Sequence, residues 1–192
     1  MIQAMQNDGQ GRLHPQKFVL WVAMGSIVMM FAGLTSAYIV KKSQANWLEF
    51  ALPTVFWYST ITIIASSVTV HLALKAFKAR EMKQYRTLIT ITAALGILFT
   101  VFQLLGFANL ELRNIPLFGP KSNSATSFLG VITILHMAHV LGGVIAILIV
   151  FFRAYNSKVK NYSSVGIEII STYWHFVDIL WIYLFIFFNW LR

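Results

Sequence analysis

The sequence contains no cysteine. That absence excludes disulfides, cysteine-ligated iron–sulfur clusters, thiolate-bound haem and any copper site built on a thiolate, and it leaves the redox compartment unmarked. Charge is scarce as well: Asp, Glu, Lys and Arg make up 11% of the 192 residues, against about 25% in a soluble domain. Acidic side chains are the scarcest, 6 against 15 Lys and Arg, for a net charge of +9. In a soluble protein that excess would suggest nucleic acid. Here the cations sit at the ends of apolar segments, which makes them topology signals and argues against a nucleic-acid partner. There are 4 prolines, and none lies in the core of an apolar segment.

What remains is 58% hydrophobic and arranged in five long runs: Phe18 to Val40, Pro53 to Leu74, Thr87 to Ala108, Ser127 to Phe152 and Ile169 to Trp190. Together they hold one charged side chain, Asp178. Each reaches the roughly 20 residues that a helix rising about 1.5 Å per residue needs to cross the hydrocarbon core. The expectation is an all-α membrane protein, a bundle of five transmembrane helices at about 18–40, 53–74, 87–108, 127–152 and 169–190. A polar N-terminal tail, 1–17, precedes a single transmembrane domain, 18–192. The first run is longer than a signal-peptide core and follows a polar stretch, so it is expected to be a retained helix.

Lys and Arg divide unevenly between the two sides. One side carries Arg12, Lys17, Lys75, Lys78, Arg80, Lys83, Arg86, Arg153, Lys158 and Lys160; the other carries Lys41, Lys42, Arg113, Lys121 and Arg192. The loops are short enough for the positive-inside rule, which places the N-terminus in the cytoplasm and the C-terminus in the periplasm. Asn109 to Thr126, with Pro116, Gly119 and Pro120, becomes the main outer loop.

In lipid, small and polar residues mark the faces that meet other helices. Four of the runs show such a seam at offsets of 0, 3, 7 and 10: Ser59, Thr62, Ser66 and Thr69; Ala93, Gly96, Thr100 and Gln103; His136, His139, Gly143 and Ala146; Glu168, Ser171, His175 and Asp178. That spacing keeps residues on one side of a left-handed helix pair. Helix rise puts His139 roughly 18 Å from the outer boundary and Asp178 about 14 Å from the inner one, nearly level in a core about 30 Å thick. Asp178 is therefore expected to pair with His139 or with His175.

Three uses of these ionisable residues are open. His136, His139, His175 and Asp178 could share a metal; a haem would need two His on facing helices, and His14, in the tail, and His71, near a helix end, do not supply them. Glu168, His175 and Asp178 could form a proton or ion path, with Glu168 otherwise an interfacial carboxylate favoured by the start of its helix. The commoner use is hydrogen bonding between helices. A transporter would show repeats or broken helices, and neither is present. The aromatic runs Phe56-Trp57-Tyr58, Tyr173-Trp174 and Phe185 to Trp190 read as interfacial anchors and lipid-facing surface, with Trp57 and Trp190 in one belt and Trp21 and Trp174 in the other.

Tyr173-Trp174-His175-Phe176-Val177-Asp178, preceded by Gly166-Ile167-Glu168, resembles the signature of haem-copper oxidase subunit III. His136-Met137-Ala138-His139-Val140 resembles that family's His-Gly-Leu-His-Val segment, and Ser66-Ser67-Val68-Thr69 and Leu95-Gly96 with Phe99 and Gln103 resemble two further helices. The resemblance covers the chain from about Lys17 onward and is to the shorter, five-helix form. It implies a subunit without redox metal, which catalyses nothing alone, packs beside the haem- and copper-bearing subunit I and beside subunit II, and supports proton uptake and durability. Phospholipid is expected between its helices, and the setting is the bacterial inner membrane; membership of a respiratory supercomplex is left open. The residues carried over are His136, His139, Glu168, His175 and Asp178. Two family carboxylates are missing: by alignment they fall on Ile27 and Gly106. The alternatives are the equivalent quinol oxidase subunit, or a stand-alone membrane cytochrome or transporter.

Overall fold

The computed structural model describes residues 15–43, 47–48, 50–119, 122–156 and 164–191. Within them are five helices: α1 (Pro15–Lys42), α2 (Val55–Lys78), α3 (Met82–Leu112), α4 (Ser124–Asn156) and α5 (Val165–Trp190). All five are long and apolar enough to cross a membrane. Several are rich in β-branched residues that favour strands in water. In hydrocarbon the helix prevails, because it satisfies every backbone group within the segment. The many hydroxyls do not disturb it, since they bond back to their own turn: Thr35 Oγ1 donates to Phe31 O at 2.9 Å and Thr62 Oγ1 to Tyr58 O at 2.8 Å.

Four of the expected spans each fall inside one of these helices; the second, 53–74, starts two residues before α2, which runs on to Lys78. The outer loop is correspondingly shorter than Asn109 to Thr126, because α3 continues to Leu112 and α4 starts at Ser124. Asn114 stops α3 with φ of 59°, where its N–H donates to Glu111 O and that of Ile115 to Leu110 O. This is the two-bond left-handed cap that asparagine tolerates. Arg80 closes α2 in the same way, at φ 61°. Most of the tail, including Arg12 and His14, lies outside the described residues, as do Pro120, Lys121, Lys158, Lys160 and Arg192; residues 15–17 belong to α1.

Helices α2, α3, α4 and α5 close a ring in which each packs on its two neighbours, α2 meeting α5. The first helix packs against α4 and α5 rather than against α2 or α3. Successive helices alternate in direction, so the starts of α1, α3 and α5 share one end of the bundle with the ends of α2 and α4. That end carries Lys17, Lys75, Lys78, Arg80, Lys83, Arg86 and Arg153.

Candidate functional site

The seams meet inside the ring. Ser59, Ser66, Gln103 and His136 have no exposed surface, and Ser171 and Asp178 are buried. Gln103 Nε2 donates to Ser59 Oγ at 3.1 Å, and the hydroxyls of Thr69 and Thr92 lie 2.9 Å apart, tying α2 to α3. Between α2 and α5 the ties are indoles: Trp174 Nε1 donates to Ser66 Oγ and Trp181 Nε1 to Thr60 Oγ1, both at 3.0 Å. These reverse the sequence reading of Trp174 as a belt residue. A tryptophan buries a large apolar body and still needs one hydrogen-bond acceptor, and hydroxyls two helical turns apart on α2 supply one to each indole. Phe56, Phe185, Phe187 and Phe188 are likewise buried, not lipid-facing. Trp21, Trp57 and Trp190 do face outward.

Trp174 fixes the centre. Its ring lies between Gly96 and Gly143, where an added Cβ would stand 2.8 Å from Cη2 and 2.9 Å from Cε3 respectively. Hence both seam glycines are required for space. The same reasoning explains Gly106, one of the two places where the family carboxylate is missing: a Cβ there would meet the Phe56 ring at 2.9 Å. A glutamate does not fit beside that ring.

The expected pairing of Asp178 does not form. His139 Nδ1 is taken by Leu135 O on its own helix at 2.7 Å, and His175 Nδ1 by Ser67 Oγ on α2 at 2.6 Å. Ser67 also approaches the Asp178 carboxyl, but neither carboxyl oxygen has a hydrogen-bond partner among the described residues. Depth alone suggested the pairing, and rotation about the helix axes decided against it. His136 is similar: neither ring nitrogen has a hydrogen-bond partner among the described residues, and its ring is enclosed by Phe31, Phe99 and Trp181, the last 5.2 Å away between centroids. The ring of His71, set aside in the sequence, lies 6.0 Å from that of His175 and tilted to it. Among the described residues no group of three or more His, Asp and Glu converges as a metal site.

Glu168 is not a lone interfacial carboxylate. Its Oε2 accepts from Lys17 of α1 at 2.8 Å, and its Oε1 lies 2.9 Å from Lys78 of α2 and accepts from Ser164 at 3.1 Å. One side chain thus clamps three helices at the basic end. At the opposite end Lys42 Nζ donates to Leu191 O at 2.8 Å, so α1 is fastened to α5 twice. The sequence flagged Glu168 but not its partners, which lie 151 and 90 residues away with only their charge as a signal. Glu168→Gln is expected to lower the stability of the detergent-solubilised protein by about 1 to 2 kcal/mol at low salt, since an exposed pair contributes at most about 1 kcal/mol. The difference should shrink as salt is added; a thermal midpoint equal to wild type at low salt would show that the clamp contributes nothing.

Comparison with known proteins places these features. Residues 18–192 match the family model described as cytochrome c oxidase subunit III. The chain is 32% identical to cytochrome c oxidase subunit 3 of Corynebacterium diphtheriae, covering 86% of this chain and 85% of that one. It is 33% identical to the subunit of the same name from Synechocystis, covering 96% and 78%. Cytochrome bo(3) ubiquinol oxidase subunit 3 of Buchnera aphidicola is 27% identical, covering 88% and 83%. With nearly the whole chain matched, and the buried signature of α5 at the centre of its packing, this five-helix membrane protein belongs to the cytochrome c oxidase subunit III family.

Proposed function

We propose that the chain is the non-redox third subunit of a proton-pumping cytochrome c oxidase, seated on the catalytic subunit and supporting its stability and proton uptake. The match over residues 18–192 carries this reading. The interior supports it: the hydroxyls, indoles and glutamine of the seams hold helix to helix, the work of a scaffold. Haem and copper belong to the partner subunits in this reading, and the chain alone catalyses nothing. His136, His139, Glu168, His175 and Asp178 act within its own packing. In this reading the chain lies in the inner membrane of a bacterium, and the distribution of Lys and Arg supports a cytoplasmic basic end with Trp190 on the periplasmic side.

The equivalent quinol oxidase subunit is the second reading, because one relative is named for ubiquinol. Purification of the membrane complex by a tag on this chain separates the two. Co-purifying subunits with haem and a thiolate copper centre are expected. Haem without that copper means a quinol oxidase, and a chain recovered alone overturns both.

A further inference from the structure

His71 of α2 and His175 of α5 have ring centroids 6.0 Å apart and ring planes inclined by 51°. A direct N–H···N bond would bring the centroids to about 5 Å, so a gap separates the two rings. His71 is exposed and forms no hydrogen bond with a described residue. It stands one helical turn before Lys75, where the apolar run has ended, and hence about 6 Å inside the hydrocarbon boundary. An imidazole at that depth without a polar partner is costly. His175 is half-buried and oriented from behind: its Nδ1 lies 2.6 Å from Ser67 Oγ, and Ser67 also approaches the Asp178 carboxyl. Both contacts are served together when His175 donates from Nδ1 to the Ser67 oxygen and the hydroxyl turns its own proton toward Asp178. In that tautomer Nε2 of His175 carries a lone pair. An imidazole whose other nitrogen donates to an oxygen acceptor is the form in which histidine serves as a metal ligand.

We propose that His71 and His175 hold a copper(I) ion between them in a two-coordinate site, with Ser67 and Asp178 as the positioning residues of His175. Imidazole suits copper and zinc alike, and the separation of the rings distinguishes them. A tetrahedral zinc, with Zn–N of about 2.0 to 2.1 Å, draws two ring centroids to about 5 Å, whereas opposed nitrogens on a two-coordinate ion stand them about 6 Å apart. Zinc also takes three or four protein ligands, and no third His, Asp or Glu among the described residues joins the pair. Charge points the same way. The Asp178 carboxyl, without a hydrogen-bond partner among the described residues, balances one positive charge, and Lys75, on the same face of α2 as His71, opposes a second. The ion is a closed-shell cation held by packing residues and takes no part in electron transfer, so the chain remains non-redox. The proposal rests on contacts within this chain and does not depend on which oxidase it serves.

The test is native mass spectrometry of the intact complex in detergent, titrated under argon with copper(I) and, separately, with zinc. The wild type is expected to gain one copper(I) beyond the metals it carries as purified. His71→Leu should lose that ion while the complex still assembles, because the His71 side chain bonds no described residue. His71→Met, whose thioether is a soft ligand, should keep copper(I) and reject zinc, a selectivity that a merely structural role of His71 would not produce. Ser67→Ala and Asp178→Asn should each weaken copper(I) binding by about 10- to 100-fold, the range for removing the support of a metal-ligating histidine. The subunits present in the same spectra report assembly separately, so failure of the proposal is distinguishable from failure of the subunit reading. Unchanged copper(I) uptake in His71→Leu would overturn the proposal. Zinc bound more tightly than copper(I) would overturn the two-coordinate assignment, and uptake of neither ion by the wild type would overturn the site and leave the gap to a bridging water.

Discussion

Trp174→Ala is expected to destabilise the protein by about 3 to 5 kcal/mol, the range for removing a buried tryptophan, and to strand the Ser66 hydroxyl that accepts from its indole. The thermal unfolding of the solubilised complex, with retention of this subunit read on a gel, is the measurement. The reciprocal change is informative because the ring is held on two sides. Gly143→Ala puts a methyl group 2.9 Å from Cε3 and Cζ3, and the ring has no direction in which to yield while Gly96 faces it from α3. Overpacking of this kind costs about 1 to 3 kcal/mol. Combining Gly143→Ala with Trp174→Phe should recover part of the loss, since the smaller ring vacates the space the methyl needs. Strict additivity of the two changes would mean that ring and glycine do not share a contact. Trp174→Ala within 1 kcal/mol of wild type would mean that the centre of the bundle is elsewhere.

Asp178→Asn is expected to assemble at least as well as wild type. A charged aspartate near the middle of a membrane helix costs about 2.5 to 3.5 kcal/mol on insertion scales, and no described side chain in this chain bonds the carboxyl in return. Its exposure is 2%, so a partner subunit cannot reach it without displacing α2 or α5. Asparagine keeps the shape and abolishes the ionisation. Its amide can also donate toward Ser67, whose hydroxyl is already engaged with His175. The amount of inserted subunit in membranes and the oxygen consumption of the purified enzyme are the two readings. A variant that inserts normally but loses turnover would assign the carboxyl a role in proton uptake. One that fails to insert would show that a counter-ion forms during assembly.

The number, order and approximate limits of the helices were legible because hydrocarbon allows one backbone solution and charge marks its ends. The seams were legible for a related reason: Ser59, Ser66, Gly96, Gln103 and Gly143 are the residues that a lipid-facing surface does not need. Two things were not legible. An aromatic residue reads the same in a belt and in a core, so Trp174, Phe187 and Phe188 were placed on the wrong side until Ser66 and the two glycines gave Trp174 a location. A helix seen as a string of depths also carries no azimuth. Asp178 and His139 are nearly level, yet they belong to different neighbourhoods, and Ser67 and Thr60, each one position off the seam of α2, make the contacts instead. The clamp at Glu168 was hidden for want of any local pattern, since its three helices meet only when the bundle is complete.

The position of α1 has a consequence in time. It precedes the other four helices in the chain, yet its neighbours in the bundle are α4 and α5, and the residues that fasten it, Glu168 and Leu191, lie in or just after α5. At roughly 5 to 20 residues per second, the segment from the end of α1 to the start of α4 occupies the ribosome for about 4 to 16 s. During that interval the first helix has no permanent protein neighbour from its own chain and must persist in lipid by itself. Its run from Phe18 to Val40 is free of charge, and it has the smallest buried share of the five, 17% against 44% for α5, a composition suited to such a wait. The contacts of the two basic residues at its ends, Lys17 with Glu168 and Lys42 with Leu191, can close only once α5 has been made.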